Sequence, residues 1–348
     1  MAIHLENQAR AFLISNPKLT KTELADLLQC SVTTIKRLTA WRERNEQDAE
    51  DYDPFDILDW ATESVDKYHK IVKRDDTLRW ESPLGNEPIA ILNFSDAHAF
   101  SFHTNHELIS RDLKIVRDND NVFMIGLGDF MQGITAGFPA AEPALTQFLS
   151  PEAQIKVFTK MFQQLKDKII FLHSGNHERF TARSIGFDVF GLELSKYVPV
   201  FEGIGLSFIT VGDQRYSILS QHKARGRSKT NKTLGCANTY LKDYPADIVL
   251  SGHTHAFAMY WDSHYAAAKL VGDNFGGDRL FINCATYQEI KSDYARMLGG
   301  AGGEYASPTV VLFPGERRMV AFKYVTDALV FLRGLKAIKE NNKCLQLN

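Results

Sequence analysis

Five short apolar runs punctuate the middle of the chain, and a polar motif follows each one. Ile89–Phe94 precedes Asp96-x-His98, Val122–Leu127 precedes Gly128-Asp129, and Ile169–Leu172 precedes Gly175-Asn176-His177-Glu178. Tyr216–Leu219 precedes a lone His222, and Asp247–Leu250 precedes Gly252-His253-Thr254-His255. Runs this short and this continuous predict strands buried on both faces, as in a largely parallel sheet. Polar residues at the carboxyl ends of such strands should gather on one rim of a sheet, where open α/β sheets bind ligands.

The front of the chain has a different rhythm. Leu5–Ser15 predicts a helix, ended by Pro17. Thr20 with Glu23 three residues on forms a capping box for a second helix, Lys21–Leu28. After the turn Gln29-Cys30-Ser31, a third helix over Val32–Arg42 turns Ile35 and Leu38 inward and Thr33, Thr34, Lys36 and Arg37 outward. Residues 1–45 therefore resemble a helix-turn-helix, with Gln29 where the turn glycine usually stands. Thr33, Thr34, Lys36 and Arg37 are its candidate DNA contacts. The segment carries seven Lys/Arg against four Asp/Glu, a modest excess for that task. A small helical bundle packed on the rest of the chain is the competing reading. Residues 46–87 follow as an acidic linker grading into a bridging helix around Phe55–Lys73, and Pro83-Leu84-Gly85-Asn86 marks the entry to the next domain.

The motifs after the strands hold carboxylates, imidazoles and one amide, the donors that hard and borderline divalent cations accept. In this order they resemble the calcineurin-like metallophosphoesterase superfamily, over residues 88–325, and every element of its pattern is present. The intervals are 33 residues from Asp96 to Asp129, then 47 to Asn176, 46 to His222 and 31 to His253, ordinary for βαβ units. Residues 326–348 would form a C-terminal helix and tail. The resemblance implies an α/β fold: a metallophosphoesterase β-sandwich flanked by helices, here with a small all-α N-terminal module.

The resemblance also implies a two-metal site. Asp129 would bridge the ions, Asp96, His98 and His255 would complete one, and Asn176, His222 and His253 the other. A metal-bridging hydroxide would attack phosphorus, since paired divalent ions lower the pKa of water and clamp phosphoryl oxygens. Mn²⁺ is the first expectation for both ions, with Fe, Zn²⁺ and Ni²⁺ also suited to mixed N/O ligands. His177 would act at the leaving oxygen as general acid or charge stabiliser. Glu178 reads as a solvated carboxylate or as one bracing the ligands from behind; His103, His106 and His173 read as structural.

Departures from the family narrow the substrate. Protein phosphatases of the superfamily carry an arginine after Gly-Asp and another before Gly-Asn-His-Glu. This chain reads Gly128-Asp129-Phe130-Met131-Gln132-Gly133 and His173-Ser174-Gly175-Asn176, with neither arginine and without the aspartate that pairs with the catalytic histidine. Directly after His222 comes a basic run containing Lys223, Arg225, Arg227, Lys229 and Lys232, suited to a polyanion. Ile134–Pro151, with Phe138, Leu145 and Phe148, reads as a lid or wall of the site or as an ordinary loop, and the glycine-rich 298–303 first as an ordinary loop.

Composition adds limits. The 348 residues carry a net charge of −2, so a globally basic protein is excluded. The absence of a long apolar run or a signal-like start predicts a cytoplasmic protein with no membrane segment. The four cysteines are scattered, which excludes zinc-finger and disulfide scaffolds. The leading expectation is a phosphodiesterase acting on nucleic acid, DNA first, with a homodimer in keeping with the superfamily. The alternatives are a small-molecule (nucleotide) phosphatase or diesterase, and a DNA-binding regulatory or assembly protein with a degenerate phosphoesterase domain.

Overall fold

A computed structural model describes residues 77–134, 147–185, 188, 193–224, 246–264, 277–288 and 305–346, with Thr20, Thr22 and Ala25 as isolated positions. The expectations for the helices of 1–45, the linker and bridging helix as far as residue 76, the glycine-rich stretch, and for Thr33, Thr34, Lys36, Arg37, Arg225, Arg227, Lys229, Phe138 and Leu145 lie outside the described residues. Two compact units divide the chain, Met1–Asp75 with Ala182–Asp188 and Asp76–Thr181 with Val189–Asn348. Thr77–Glu81, expected as part of the linker, is a strand of the second unit. Apart from the last turn of one helix, the architecture below belongs to the second unit.

Its elements run β1 (Thr77–Glu81), β2 (Ile89–Phe94), α1 (His106–Asp118), β3 (Val122–Gly126), α2 (Pro151–Gln164), β4 (Ile169–His173), α3 (Asn176–Ile185), β5 (Val200–Phe201), β6 (Gly205–Val211), β7 (Gln214–Gln221), β8 (Ile248–Ser251), β9 (Ala258–His264), β10 (Gly277–Asn283), β11 (Thr309–Leu312), β12 (Met319–Phe322) and α4 (Val325–Gln346). They form two six-stranded sheets, ordered β12-β11-β2-β3-β4-β5 and β1-β6-β7-β8-β10-β9. In the first, β2 through β5 are parallel, and β11 and β12 close it antiparallel. In the second, β7, β8 and β10 are parallel.

Side-chain alternation explains the sandwich. Ile89, Ile91, Phe123 and Ile125 of the first sheet share one buried cluster with Ile209, Tyr216, Ile218, Ile248, Leu250, Leu280 and Ile282 of the second. The intervening positions of β2, Ala90, Leu92 and Phe94, are equally buried. α4 packs on β2, β11, β12 and α1, and α1 packs on β3. Burial on both faces is why these strands read as unbroken apolar runs. α1 starts where the Asn105 side chain accepts the Leu108 N–H, and it buries Ile109, Leu113 and Val116 at helical spacing. α2 starts at the Ser150 cap with Pro151 in its first turn and buries Ile155, Phe158 and Phe162.

One expectation needs correcting. The motifs do not share the rim of a single sheet: β2, β3 and β4 lie in one sheet, and β7 and β8 in the other. A strand's buried face does not encode which sheet it joins, so the sequence pattern could not separate the two. The inter-sheet cluster thereby becomes a condition for bringing the motifs together. Leu250→Ala, at the centre of that cluster, should cost about 2–5 kcal/mol in denaturant unfolding, as large-to-small core changes do.

Candidate metal centre

The turns after the strands are held in uncommon backbone conformations. Among the described non-glycine residues, positive φ occurs at Asp96 (49°), His98 (43°), Phe100 (70°), Asp129 (53°), His253 (69°) and His255 (56°). Five of these six carry candidate metal donors. Such conformations cost of order 1–3 kcal/mol each and persist where surrounding structure over-determines them.

Here hydrogen bonds supply that constraint. Asp96 and His98 donate their N–H groups to the carbonyls of Gly128 and Asp129, both at 3.0 Å. The Asp96 carbonyl accepts from Tyr287 N–H (3.2 Å) and from the Thr286 hydroxyl (2.8 Å). The Thr104 hydroxyl donates to the His98 carbonyl at 2.8 Å. Glu178 is buried, which discards the solvated reading. Its Oε2 accepts from Asp129 N–H (2.9 Å) and Gly175 N–H (2.8 Å), and its Oε1 from Phe130 N–H (2.9 Å). Burial, then the Asp129 charge, raises its carboxyl to about 7 against the pull of His222 and the backbone donors.

Two close approaches require glycine. A Cβ on Gly175 would lie 2.2 Å from Asp129 N, and one on Gly252 would lie 2.2 Å from Ser95 Oγ. The Gly252–His255 turn is fastened from β10, where Asn283 Nδ2 donates to the Thr254 hydroxyl and the Ala256 carbonyl. Asn283 escaped the sequence reading. Its signal is a further apolar run, Leu280-Phe281-Ile282, ending in a polar residue.

The side chains so positioned form three overlapping donor groups: Asp96, His98 and His255; His98, Asp129 and His177; Asp129, His222 and His253. Within each group the donor atoms lie within 4.8 Å of one another. His98 Nε2 lies 3.0 Å from His255 Nε2, which lies 3.3 Å from Asp96 Oδ1. His222 Nε2 lies 3.2 Å from Asp129 Oδ2 and 3.0 Å from Asn176 Oδ1. Asp129 Oδ1 accepts the His177 N–H at 2.8 Å, whereas Oδ2 faces both His222 and, at 3.9 Å, His98. One oxygen therefore addresses both sides.

The chemistry of this donor set fits divalent cations. His222 directs Nδ1 at the Leu127 carbonyl (2.7 Å), so its neutral form turns the Nε2 lone pair toward two acceptor oxygens. Convergent lone pairs repel unless positive charge lies among them. A backbone carbonyl behind the ring is also the usual brace of a metal-bound histidine. In the protein alone, burial opposes His222 protonation, but the Asp129, Asp96 and Glu178 charges raise it to about 9. Burial, then His222 and the Lys223 ammonium, pushes His253 down to about 4. Burial raises the Asp96 and Asp129 carboxyls, yet neighbouring imidazoles hold both below the usual range.

His177 stands at the start of α3, its ring edge-on to His98 with centroids 4.4 Å apart. Its Nδ1–H donates to the Gln132 carbonyl at 2.6 Å. A main-chain oxygen thus orients the histidine where sequence offered no aspartate. His106 and His173 are structural: Nε2 of His106 accepts the Phe100 N–H, and Nε2 of His173 meets the Ser220 hydroxyl. Lys223 is exposed directly beside His222.

Residues 89–257 match the model of the calcineurin-like phosphoesterase family, and that stretch is a domain of this family. The class is thereby a metal-dependent phosphoesterase, a hydrolase. Among solved structures, the chain is similar to the calcineurin-like phosphoesterase YfkN from Bacillus subtilis, at 12% identity over 68% of this chain and 91% of that one, TM-score 0.36. It is also similar to wild-type Vps29 from Entamoeba histolytica in complex with Zn²⁺, at 10% identity over 67% of this chain and 98% of that one, TM-score 0.29. Likenesses this distant bear on neither substrate nor partner. No curated protein matches the chain. Among the described residues, no helix is long and apolar enough to cross a membrane.

Glu178→Gln would set an amide NH₂ against backbone donors that now meet carboxylate oxygen. The variant should lose about 1–3 kcal/mol of stability and 10–100-fold in metal affinity. Thermal unfolding and metal titration by calorimetry would check both.

Proposed function

We propose that this chain is a dinuclear phosphodiesterase acting on nucleic acid, DNA first. One observation carries the dinuclear part: Asp129 belongs to two donor groups and turns a single oxygen toward both. In this reading Asp96, His98 and His255 would hold one cation, Asn176, His222 and His253 would hold the other, and Asp129 would be shared by both. Mn²⁺ is the preferred ion, with Fe, Zn²⁺ and Ni²⁺ compatible with the same N/O set. Bound ions of this kind lower the pKa of a water and neutralise phosphoryl oxygens.

The protein's own groups supply the rest. The Gln132 carbonyl fixes the His177 tautomer, so that Nε2 faces away from the brace and can exchange a proton with the leaving oxygen. A His177 nitrogen within 4.8 Å of the His98 and Asp129 donors supports that role. Glu178 fixes the peptide units on which Asp129 and Asn176 depend.

The substrate assignment rests on charge. The arginines that would hold a dianionic monoester are missing, whereas exposed Lys223 follows His222 directly and its charge helps to depress His253. Arg225, Arg227 and Lys229 continue that charge along the sequence and are the proposed phosphate contacts with Lys223. Residues 1–45, through Thr33, Thr34, Lys36 and Arg37, are the proposed recruiter of duplex DNA.

Mn²⁺-dependent cleavage of single- and double-stranded DNA, an aryl diester and an aryl monoester tests the reading. Diesters and DNA should be cleaved in preference to the monoester, and Asp129→Asn should abolish turnover. Activity confined to small esters would move the substrate to a nucleotide. Bound metal without any hydrolysis would sink the enzyme reading altogether. His177→Asn should lower kcat by about 10²–10⁴ with metal content retained, the range for loss of a general acid or base.

A further inference from the structure

The loop that leaves His98 carries a second feature that metal binding does not use. Phe102 is 66% exposed and Phe148 48%, and their ring centroids lie 5.6 Å apart at an interplanar angle of 49°. Two phenyl rings facing water side by side are unusual among large apolar residues, which normally turn inward. They are also firmly placed. Phe148 packs edge-on against Phe100 at 5.8 Å and against His106 at 5.5 Å. Its N–H donates to the Phe100 carbonyl at 3.1 Å, and Ser101 bridges Gln147. Phe100 holds φ at +70°, with its N–H given to His106 Nε2 at 2.9 Å. For an aromatic residue that backbone is strained, and strain of this kind clusters at ligand sites.

The platform is wired to the metal centre at both ends. The Ser101 N–H donates to the His98 carbonyl at 3.2 Å, so one tight turn separates the candidate ligand from Phe102. That turn keeps the Phe102 and His98 Cα atoms within about 11 Å of each other. On the other side, the Gln147 side chain bonds both the N–H (3.0 Å) and the carbonyl (2.7 Å) of Ile134. Ile134 lies two residues beyond Gln132, whose carbonyl holds His177.

We propose that Phe102 and Phe148 form a stacking platform for a base adjacent to the scissile phosphate. This inference rests on the phosphodiesterase reading above and names what recognises its substrate. Aromatic side chains accept any base by its π-face, which gives sequence-tolerant binding next to a charge-neutralising site.

Two diesters with the same leaving group test it: thymidine 5′-(p-nitrophenyl phosphate) and methyl p-nitrophenyl phosphate, with Mn²⁺ and the full chain. The wild type should favour the thymidine ester in kcat/KM. Phe102→Leu, which keeps apolar volume without a π-face, should cut that preference about tenfold, chiefly through KM, as loss of one base–aromatic stack does. Phe148→Leu should act in the same direction, and Phe102→Trp should restore or raise the preference. An equal preference in wild type and Phe102→Leu, or none in the wild type, overturns the platform while leaving the phosphodiesterase intact. If the wild type hydrolyses neither diester, the phosphodiesterase reading falls first and the platform with it.

Discussion

Five donor-bearing residues sit in left-handed backbone that their side chains disfavour, and the rest of the structure is arranged to keep them there. At of order 1–3 kcal/mol each, the combined strain rivals the 5–15 kcal/mol net stability of an ordinary domain. It is offset by a two-sheet core of buried aliphatic and aromatic side chains and by backbone bonds that run between the motif loops as well as within them. Glu178 is the densest of these fastenings. Its carboxylate gathers N–H groups from the Gly128-Asp129 turn and from the turn that opens α3, so two ligand loops move as one.

Legibility followed how many jobs a residue does. β2 matched its expected span, Ile89–Phe94, because both of its faces are buried and nothing polar interrupts the pattern. β6 reads Gly-Leu-Ser-Phe-Ile-Thr-Val and is buried on alternate positions only, a weaker signal that was not picked out. The sandwich and the family were readable from the ordered motifs, and the family model matches residues 89–257 of the 88–325 expected. Division of the motifs between two sheets was not readable, since it is decided by inter-sheet packing among residues far apart in sequence.

The candidate site shows the same limit at finer scale. Side-chain donors can be named from their letters, and the structure gathers Asp96, His98, Asp129, His222, His253 and His255 into overlapping groups. Main-chain partners have no letters. The Leu127 carbonyl behind His222 and the Gln132 carbonyl behind His177 became visible only with coordinates, as did the choice of a single Asp129 oxygen. Asn283 was missed for a different reason: it binds no expected ligand directly and acts by fastening the turn that carries two of them.

The Gln132 carbonyl changes what inheritance can do to His177. A carboxylate brace is one codon change from loss, whereas every amino acid at position 132 brings the same main-chain oxygen. The Gln132 side chain is buried and accepts from Gln288, so its replacement would disturb that packing, yet the main-chain oxygen that holds the tautomer of His177 would remain. Only a change that bends the loop itself would release it. The orientation of His177 is thereby written in the main chain, out of reach of a change of side chain alone.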